Sequence, residues 1–470
     1  MSHRASLLGR GYQDQHLDSP RVRFRRALLL CLMTVVVPGS GHIAVGKKIV
    51  GWIAVTLWLA VLVAGGWLLV TYRTDRAQVL DWFTDPDILL AARVSLVAVA
   101  LLWAVLFVDA WRLASPFRLT FLRAALITVL NLAIIGGVAG STAYASQVMK
   151  VSRETVKTVF PENVPTSEPL KGRYNILLVG SDAREDRTGV RPDSLTVASV
   201  DADTGKVVLV SLPRNLQNVP FSEGSPMRQL YPNGYNCGSE CLLNAVHTTA
   251  QDRKDLYPGS DDPGLDATID AVEGATDLKV NYFVMVNLNG FKGLVDAVGG
   301  VEMDVKTPIA MFGQADAYKQ TFIQPGRRTL DGQEALWYAR SRIQSDDYTR
   351  MGRQKCLMAA MADQLSPTKV LTNATKIASS GRELLSTNIP RKELGQFADL
   401  ALKSRGSKIR TVSVVPPEFN TVTPDFPAIH AAIQKAIDTS EGVRKKPSTD
   451  APKDPSARKA NNSDDLEADC

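Results

Sequence analysis

Two groups of side chains in this sequence could do chemistry together. Asp182, Arg191, Asp193 and Arg214 lie at the ends of apolar runs, and Arg340, Arg342, Asp347, Arg350 and Gln354 fall in one short stretch after Tyr338. Guanidinium forks match phosphate oxygens two at a time and stay charged at any physiological pH. Carboxylates among so many arginines make sense where they hold a hard divalent cation, which itself bridges phosphate oxygens. The combination suits gripping a metal-bound pyrophosphate and neutralising charge on a departing phosphate. A single Asp–Arg pair is ordinarily a surface salt bridge, and an Arg-rich stretch a solvated face. Several such residues gathered at the ends of predicted elements favour the site reading.

The elements that must position them alternate between strand and helix patterns. Tyr174–Gly180 reads as a buried strand, and Ser194–Asp201 and Lys206–Leu212 as two more, joined by the turn Ala202-Asp-Thr-Gly205. With Asp203 and Thr204 as the turn residues, the hairpin register sets Asp193 opposite Arg214. If the first strand lies beside this hairpin, Asp182, Arg191, Asp193 and Arg214 meet at one end of the sheet, where α/β domains bind ligands. Leu265–Thr276 has helical spacing, Val280–Asn287 reads as a strand, Gly290–Val298 as a helix and Val301–Val305 as a strand. Gly332–Ala339, Tyr348–Leu365, Lys369–Ser379 and Arg391–Ser404 read as helices, and Lys408–Val415 as a closing strand. Arg340 and Arg342, two apart, project to one side if the chain is extended there. Asp347 stands where an N-cap belongs, and Arg350 and Gln354 share a helical face. The fold class expected is α/β, a mixed central sheet flanked by helices, following an N-terminal helical transmembrane region.

That region is the most apolar part of the chain. Val50–Thr71, Leu90–Ala114 and Phe121–Ser146 are each long enough to span a bilayer, whereas Ala27–Val37 is cut short by Pro38-Gly-Ser-Gly41. Arginines before this short run and Lys47 and Lys48 after it put both its flanks on the cytoplasmic side, so it reads as a re-entrant or interfacial hairpin. Three spans then leave the chain beyond about residue 147 outside the cell; counting the short run as a fourth would reverse this. The expected layout is a basic cytoplasmic segment (1–26), a membrane region (27–148), an extracytoplasmic stalk (149–172), an α/β domain (173–440) and a disordered polar tail (441–470). A formal net charge of +6 is modest and gives no support for a nucleic-acid partner. Five cysteines are too few for a disulfide scaffold. Cys237 and Cys241 are spaced for a small disulfide if the domain is external, and nearby ligands for a metal alternative are missing. Cys31, Cys356 and Cys470 show no evident partner.

Leu177-Leu-Val-Gly-Ser-Asp-Ala-Arg184, Arg191-Pro-Asp-Ser194, Val210-Ser-Leu-Pro-Arg214, Leu330-Asp-Gly-Gln-Glu-Ala-Leu-Trp-Tyr-Ala-Arg-Ser-Arg342 and Asp347-Tyr-Thr-Arg-Met-Gly-Arg-Gln354 occur in that order. Together they resemble the signature of the LytR-CpsA-Psr family, over roughly Tyr174 to Leu365. Phe291 and Asp296-Ala-Val-Gly-Gly300 match the family's central region, and the membrane segments resemble those of actinobacterial members. The resemblance implies an enzyme that moves a glycopolymer, such as teichoic acid, capsule or arabinogalactan, from a polyprenyl-diphosphate carrier to peptidoglycan at the membrane's outer face. It further implies Mg2+ or Mn2+ on Asp182 and Asp193. The pyrophosphate would rest on Arg191, Arg214, Arg340, Arg342, Arg350 and Gln354. Asp347 joins Arg214, Arg340, Arg342 and Arg350 among the expected catalytic residues. The implied partners are the lipid-linked glycopolymer, peptidoglycan and membrane lipid. Two alternatives share the grip: a polyprenyl-pyrophosphate hydrolase and a non-catalytic membrane regulator. Asn215 stands where the family commonly has Asp, and Leu242-Leu-Asn244 replaces a Lys-x-Asn segment.

Overall fold

The computed structural model describes residues 20–181, 192–311, 321–343, 345–364, 385–442 and 457–470. The chain divides into two compact units, Met1–Arg153 and Glu154–Cys470. The first is helical: α1 (Pro20–Val36), α2 (Ser40–Ala44), α3 (Lys48–Thr74), α4 (Arg76–Thr84), α5 (Pro86–Leu113) and α6 (Phe121–Val159). The stretches Lys48–Thr74, Pro86–Arg118 and Phe121–Val159 are long and apolar enough to cross a membrane. Helix α1, 17 residues long, reaches only about 25 Å, short of a hydrocarbon core of about 30 Å. Its arginines Arg21, Arg23, Arg25 and Arg26 and the apolar run after them lie on one continuous helix. The break after α1 is made by Gly39, whose φ of 93° only glycine adopts freely and whose missing Cβ would stand 2.7 Å from that of Ala54. The acidic loop residues act as caps: Asp75 accepts from the Gln78 amide and Asp85 from those of Asp87 and Ile88. Asp109 of α5 pairs with the buried His42 at 3.2 Å and with Lys47 at 3.0 Å.

In the second unit the predicted strand Val301–Val305 pairs outside the main sheet, while the other five, joined by Leu385–Thr387, which the sequence did not predict, form a mixed six-stranded sheet. Its strands are β1 (Arg173–Ser181), β2 (Pro192–Asp201), β3 (Val207–Leu212), β4 (Tyr282–Asn287), β9 (Leu385–Thr387) and β10 (Arg410–Ser413), in the order β10-β3-β2-β1-β4-β9. Strands β1–β2, β2–β3 and β4–β9 pair antiparallel, while β1–β4 and β10–β3 are parallel. The hairpin has the expected register, with Leu195 opposite Leu212 and Val200 opposite Val207. Its turn is held by the Asp201 carboxylate, which accepts from the amides of Asp203 and Thr204. Two small antiparallel pairs, β5 (Val301–Val305) with β8 (Gly326–Leu330) and β6 (Ile309–Ala310) with β7 (Phe322–Ile323), complete the strands.

Alternation along the strands loads both faces of the sheet. Leu177, Val179, Val197 and Val210 face a core shared with α7 (Val246–Asp252), α8 (Pro263–Thr276) and α13 (Phe426–Glu441). Ala198 and Leu209 face the other, shared with α9 (Leu288–Ala297), α10 (Gly332–Arg340) and α11 (Asp347–Gln364). Helix α12 (Leu394–Ser404) packs through Phe397 and Leu400 against Tyr174 and Tyr282 in a third cluster. These layers give the expected α/β/α arrangement. The helix predicted over Lys369–Ser379 lies outside the described residues.

Two predicted boundaries are corrected. The stretch read as a stalk is helical as far as Val159 and then tied down. Arg391 donates to the carbonyls of Lys157 and Phe160, both at 2.8 Å, and pairs with Glu162 at 2.6 Å. Further along, the Ser167 amide donates to the Tyr282 hydroxyl. Prolines remove donors without preventing such docking. The tail expected to be disordered is packed over residues 457–470, where Ala460 and Leu466 are fully buried, α14 (Leu466–Asp469) forms, and Cys470 is bonded to Cys356. Two of its few apolar residues fill the interior, alongside the buried Asn461 and Ser463. Its polar groups find partners instead of water: the Thr411 amide donates to the Ser463 carbonyl, and Lys408 pairs with Asp465.

Candidate active site

The hairpin builds half of the site. Pro213 has no N–H to continue the β3 ladder, so the chain leaves the sheet there and Arg214 projects at the strand end. Strand β2 begins at Pro192, and the register carries Asp193 across to Arg214, Nη1 to Oδ1 3.1 Å. Behind Arg214 the Asn244 amide donates to its carbonyl at 3.0 Å. Cys237 and Cys241 are disulfide-bonded just before this support. The Asn215 side-chain oxygen is buried without a hydrogen-bond partner among the described residues.

Helix α11 builds the other half. Its N-cap is Asp346, which accepts from the Thr349 amide at 2.7 Å, and not Asp347 as the sequence suggested. Relieved of capping, Asp347 turns its carboxylate to three arginines. Arg350 donates to both its oxygens, at 3.2 and 3.0 Å; Arg342 Nε lies 3.3 Å away and Arg214 Nε 3.9 Å away. Arg350, only 3% exposed, also reaches toward the Asp193 carbonyl at 3.5 Å. One turn on, Gln354 accepts from the Ser194 hydroxyl at 3.3 Å and donates to the Ala339 carbonyl at 3.1 Å. The shared helical face of Arg350 and Gln354 therefore meets the start of β2. Arg340 is the last residue of α10, so the extended chain on which a shared direction for it and Arg342 depended begins only after it; Arg342 enters the Asp347 cluster from beyond the helix end. Asp182 and Arg191 lie outside the described residues.

Asp193, Ser211, Arg214, Arg350, Gln354 and Lys355 line a cleft between the sheet end and α11. Burial depresses the Arg342 pKa below its ordinary value, and the neighbouring charges of Arg350 and Arg214 add to this, against Asp347 and Asp193. Crowded guanidiniums of this kind favour an incoming anion. Sequence reasoning missed Arg353. It is buried, donates to the Ser341 carbonyl and to Ser345 Oγ at 3.0 Å, and fixes the bend that carries Arg342. Burial pulls its pKa down to about 10. Its place three residues after Arg350 on one helix was the available signal. No group of three or more His, Cys, Asp or Glu suited to a metal occurs among the described residues. Among the described residues lining the cleft, Asp193 offers a hard, part-exposed carboxylate, a donor type that suits a hard divalent cation.

A mixed α/β/α sheet whose strand ends meet a guanidinium–carboxylate cluster has the chemistry to receive an anionic ligand. The LytR_cpsA_psr family model matches residues 139–426, and the chain belongs to that family. It is 28% identical over 248 residues to the polyisoprenyl-teichoic acid–peptidoglycan teichoic acid transferase TagV of Bacillus subtilis, covering 52% of this chain and 57% of that protein. It is 26% identical over 301 residues to the cell wall biosynthesis protein LcpA of Corynebacterium glutamicum, covering 57% of each. The chain thus spans little more than half the length of these relatives. Among solved structures, that of B. subtilis TagV shares 24% identity at a TM-score of 0.42, covering 59% of this chain and all of that one. TagT with bound octaprenyl pyrophosphate lipid shares 20% at a TM-score of 0.38, covering 61% of this chain and 97% of that one.

Proposed function

We propose that this protein transfers a glycopolymer from a polyprenyl-diphosphate carrier to peptidoglycan, with the domain on the outer face of the cytoplasmic membrane. The observation that carries the reading is the convergence of Arg214, Arg342 and Arg350 on Asp347 beside Asp193 at the sheet end. Transferase names among the relatives supply the substrate class. The charge of the flanks supports the external placement, as do the two disulfides, which persist in oxidising compartments.

In the reaction a peptidoglycan hydroxyl oxygen bonds to the phosphorus that carries the glycan. The bridging P–O bond breaks, polyprenyl phosphate leaves with the bonding pair, and the hydroxyl loses its proton. Arg350, buried and braced by Asp347, holds one phosphate group in a fixed orientation. Arg214 and Arg342, more exposed, reach the oxygens on which negative charge grows. Asp193, with Asp182, is the proposed seat of Mg2+ or Mn2+, which when bound supplies Lewis-acid stabilisation of the leaving phosphate. Asp347 keeps three like charges together and sets their directions. Arg191, Arg340 and Gln354 are proposed as further contacts to the diphosphate.

Incubation with defined prenyl-diphosphate glycans and peptidoglycan oligomers, with and without Mg2+, tests the proposal by mass spectrometry. Joined product is expected with the cation present, and loss of transfer in Asp193→Ala. Hydrolysed glycan phosphate alone would favour a hydrolase. Binding without turnover would favour a regulator, and undiminished transfer in Asp193→Ala would remove the site assignment.

A further inference from the structure

Residues 457–470 are strapped across the back of the helix that carries the candidate site. Lys355, adjacent to Gln354 and also lining the cleft, is 1% exposed. Its ammonium donates to Ser413 Oγ, to Asn461 Oδ1 at 2.8 Å and, more distantly, to the Asn461 carbonyl at 3.5 Å. Asn461 also donates from Nδ2 to the Tyr348 carbonyl at 2.8 Å, in the α11 turn that presents Asp347 and Arg350. One asparagine thus touches α11 at both its first turn and its third. Ser413 continues the connection forward, since it pairs in register with Ser211 of β3, a cleft residue. The strap is fixed to β10 by Asn462 Oδ1, which accepts from the Ser413 amide, and by a single antiparallel bridge between Thr411 and Ser463. Its far end is bonded to α11 itself through Cys356–Cys470.

A buried amine held by fixed partners depends on them, because few other interior groups can replace a lost hydrogen bond. Removing the Asn461 side chain would leave Lys355 only Ser413 Oγ and the distant Asn461 carbonyl, and would free the first turn of α11 from its tie at the Tyr348 carbonyl, so α11 could shift. That shift would occur beside Gln354 and one turn from Arg350. We propose that Asn461 is a positioning residue of the diphosphate site, holding Lys355 and the first turn of α11 in place for Asp347 and Arg350. In the same proposal the Cys356–Cys470 disulfide keeps its segment seated. This role rests on the diphosphate reading above.

The test uses the full chain in lipid nanodiscs, with geranylgeranyl diphosphate and Mg2+ as the calorimetric probe and amide hydrogen exchange on the ligand-free protein. Asn461→Ala is expected to weaken probe binding about tenfold, the scale of one lost bond to a charged group, and to speed exchange at residues 348–354. Exchange in Pro263–Thr276, on the opposite face of the sheet, should not change. Asn461→Asp keeps an acceptor for Lys355 and should recover binding to within about threefold of wild type. Cys470→Ser leaves Asn461 intact and should show the same loosening at residues 348–354. Asn461→Ser, polar but too short to reach both Lys355 and the Tyr348 carbonyl, serves as the second variant if Asn461→Ala does not fold and should show the same weakened binding and faster exchange. Wild-type binding with unchanged affinity and exchange in the variants would overturn the positioning role, as would equally faster exchange in both helices. Failure of the wild type itself to bind the probe would instead overturn the diphosphate reading, and the positioning role with it.

Discussion

Asp347→Ala removes the carboxylate on which three guanidiniums converge. Arg350 loses two hydrogen bonds of 3.2 and 3.0 Å and is 3% exposed, so water does not replace them. Removing one partner of a buried ion pair costs about 3–5 kcal/mol. The Asp347 side chain is itself 22% exposed, which places the loss at the lower end, near about 3 kcal/mol. For a domain of this size each kcal/mol lowers the melting temperature by about 2 °C, so a fall of about 6 °C is expected. Among the described residues, the variant leaves Arg214 paired with Asp193 at 3.1 Å and takes from Arg342 and Arg350 the carboxylate they share. Inorganic pyrophosphate should therefore stabilise Asp347→Ala more than wild type at low ionic strength, and the excess should shrink in high salt. Asp347→Asn retains an acceptor and should lose about half as much. Differential scanning calorimetry of the four combinations of protein and pyrophosphate measures both effects. A melting shift below about 1 °C, or equal stabilisation of both proteins by pyrophosphate, would refute the reasoning.

Burial holds the Lys355 pKa down to about 7, whereas the unfolded chain keeps that proton to about 10.5. Between these values the unfolded state binds more protons, so stability should climb as pH rises from 7 to 9, by at most about 1.4 kcal/mol per unit; urea unfolding of Lys355→Met should show a flatter profile. Cys356–Cys470 closes a sequence separation of 114 and Cys237–Cys241 one of 4. Chain entropy then predicts losses near 5 and 2 kcal/mol for Cys470→Ser and Cys237→Ser, a ranking that thermal unfolding checks. Arg173, 3% exposed, donates to Ser199 Oγ, to the carbonyls of Ser199 and Lys206, and to Glu441 at 3.1 Å. Arg173→Met should cost about 3 kcal/mol or more in urea unfolding, by stranding those acceptors.

What the sequence made legible was whatever depended on local repetition. The Ala202-Asp-Thr-Gly205 turn pinned the hairpin register, and the register alone brought Asp193 to Arg214. The periodicity of α11 aligned Arg350 with Gln354. Choices settled by one residue's backbone were less accessible: Asp346 and Asp347 are the same residue type side by side, and only the geometry of the helix start decides which caps and which gathers arginines. Arg340 was misread because a helix can end on a residue that composition permits in either state. Short strands such as β6 and β7 carry too few residues to show a period. The strap was hidden by its polarity, since composition reports how much apolar surface a segment owns and not whether Ala460 and Leu466 find a hole to fill.

The pairing of Asp193 with Arg214 has a thermodynamic consequence. If Asp193 takes a cation and Arg214 an anion, each ligand would weaken the bridge between the two groups and so leave the other group more available to the second ligand. Their affinities are then linked by a single factor, equal in both directions, as any pair of binding equilibria on one molecule requires. The bridge at 3.1 Å would act as a coincidence detector, engaging the metal–diphosphate ensemble in preference to either ion alone.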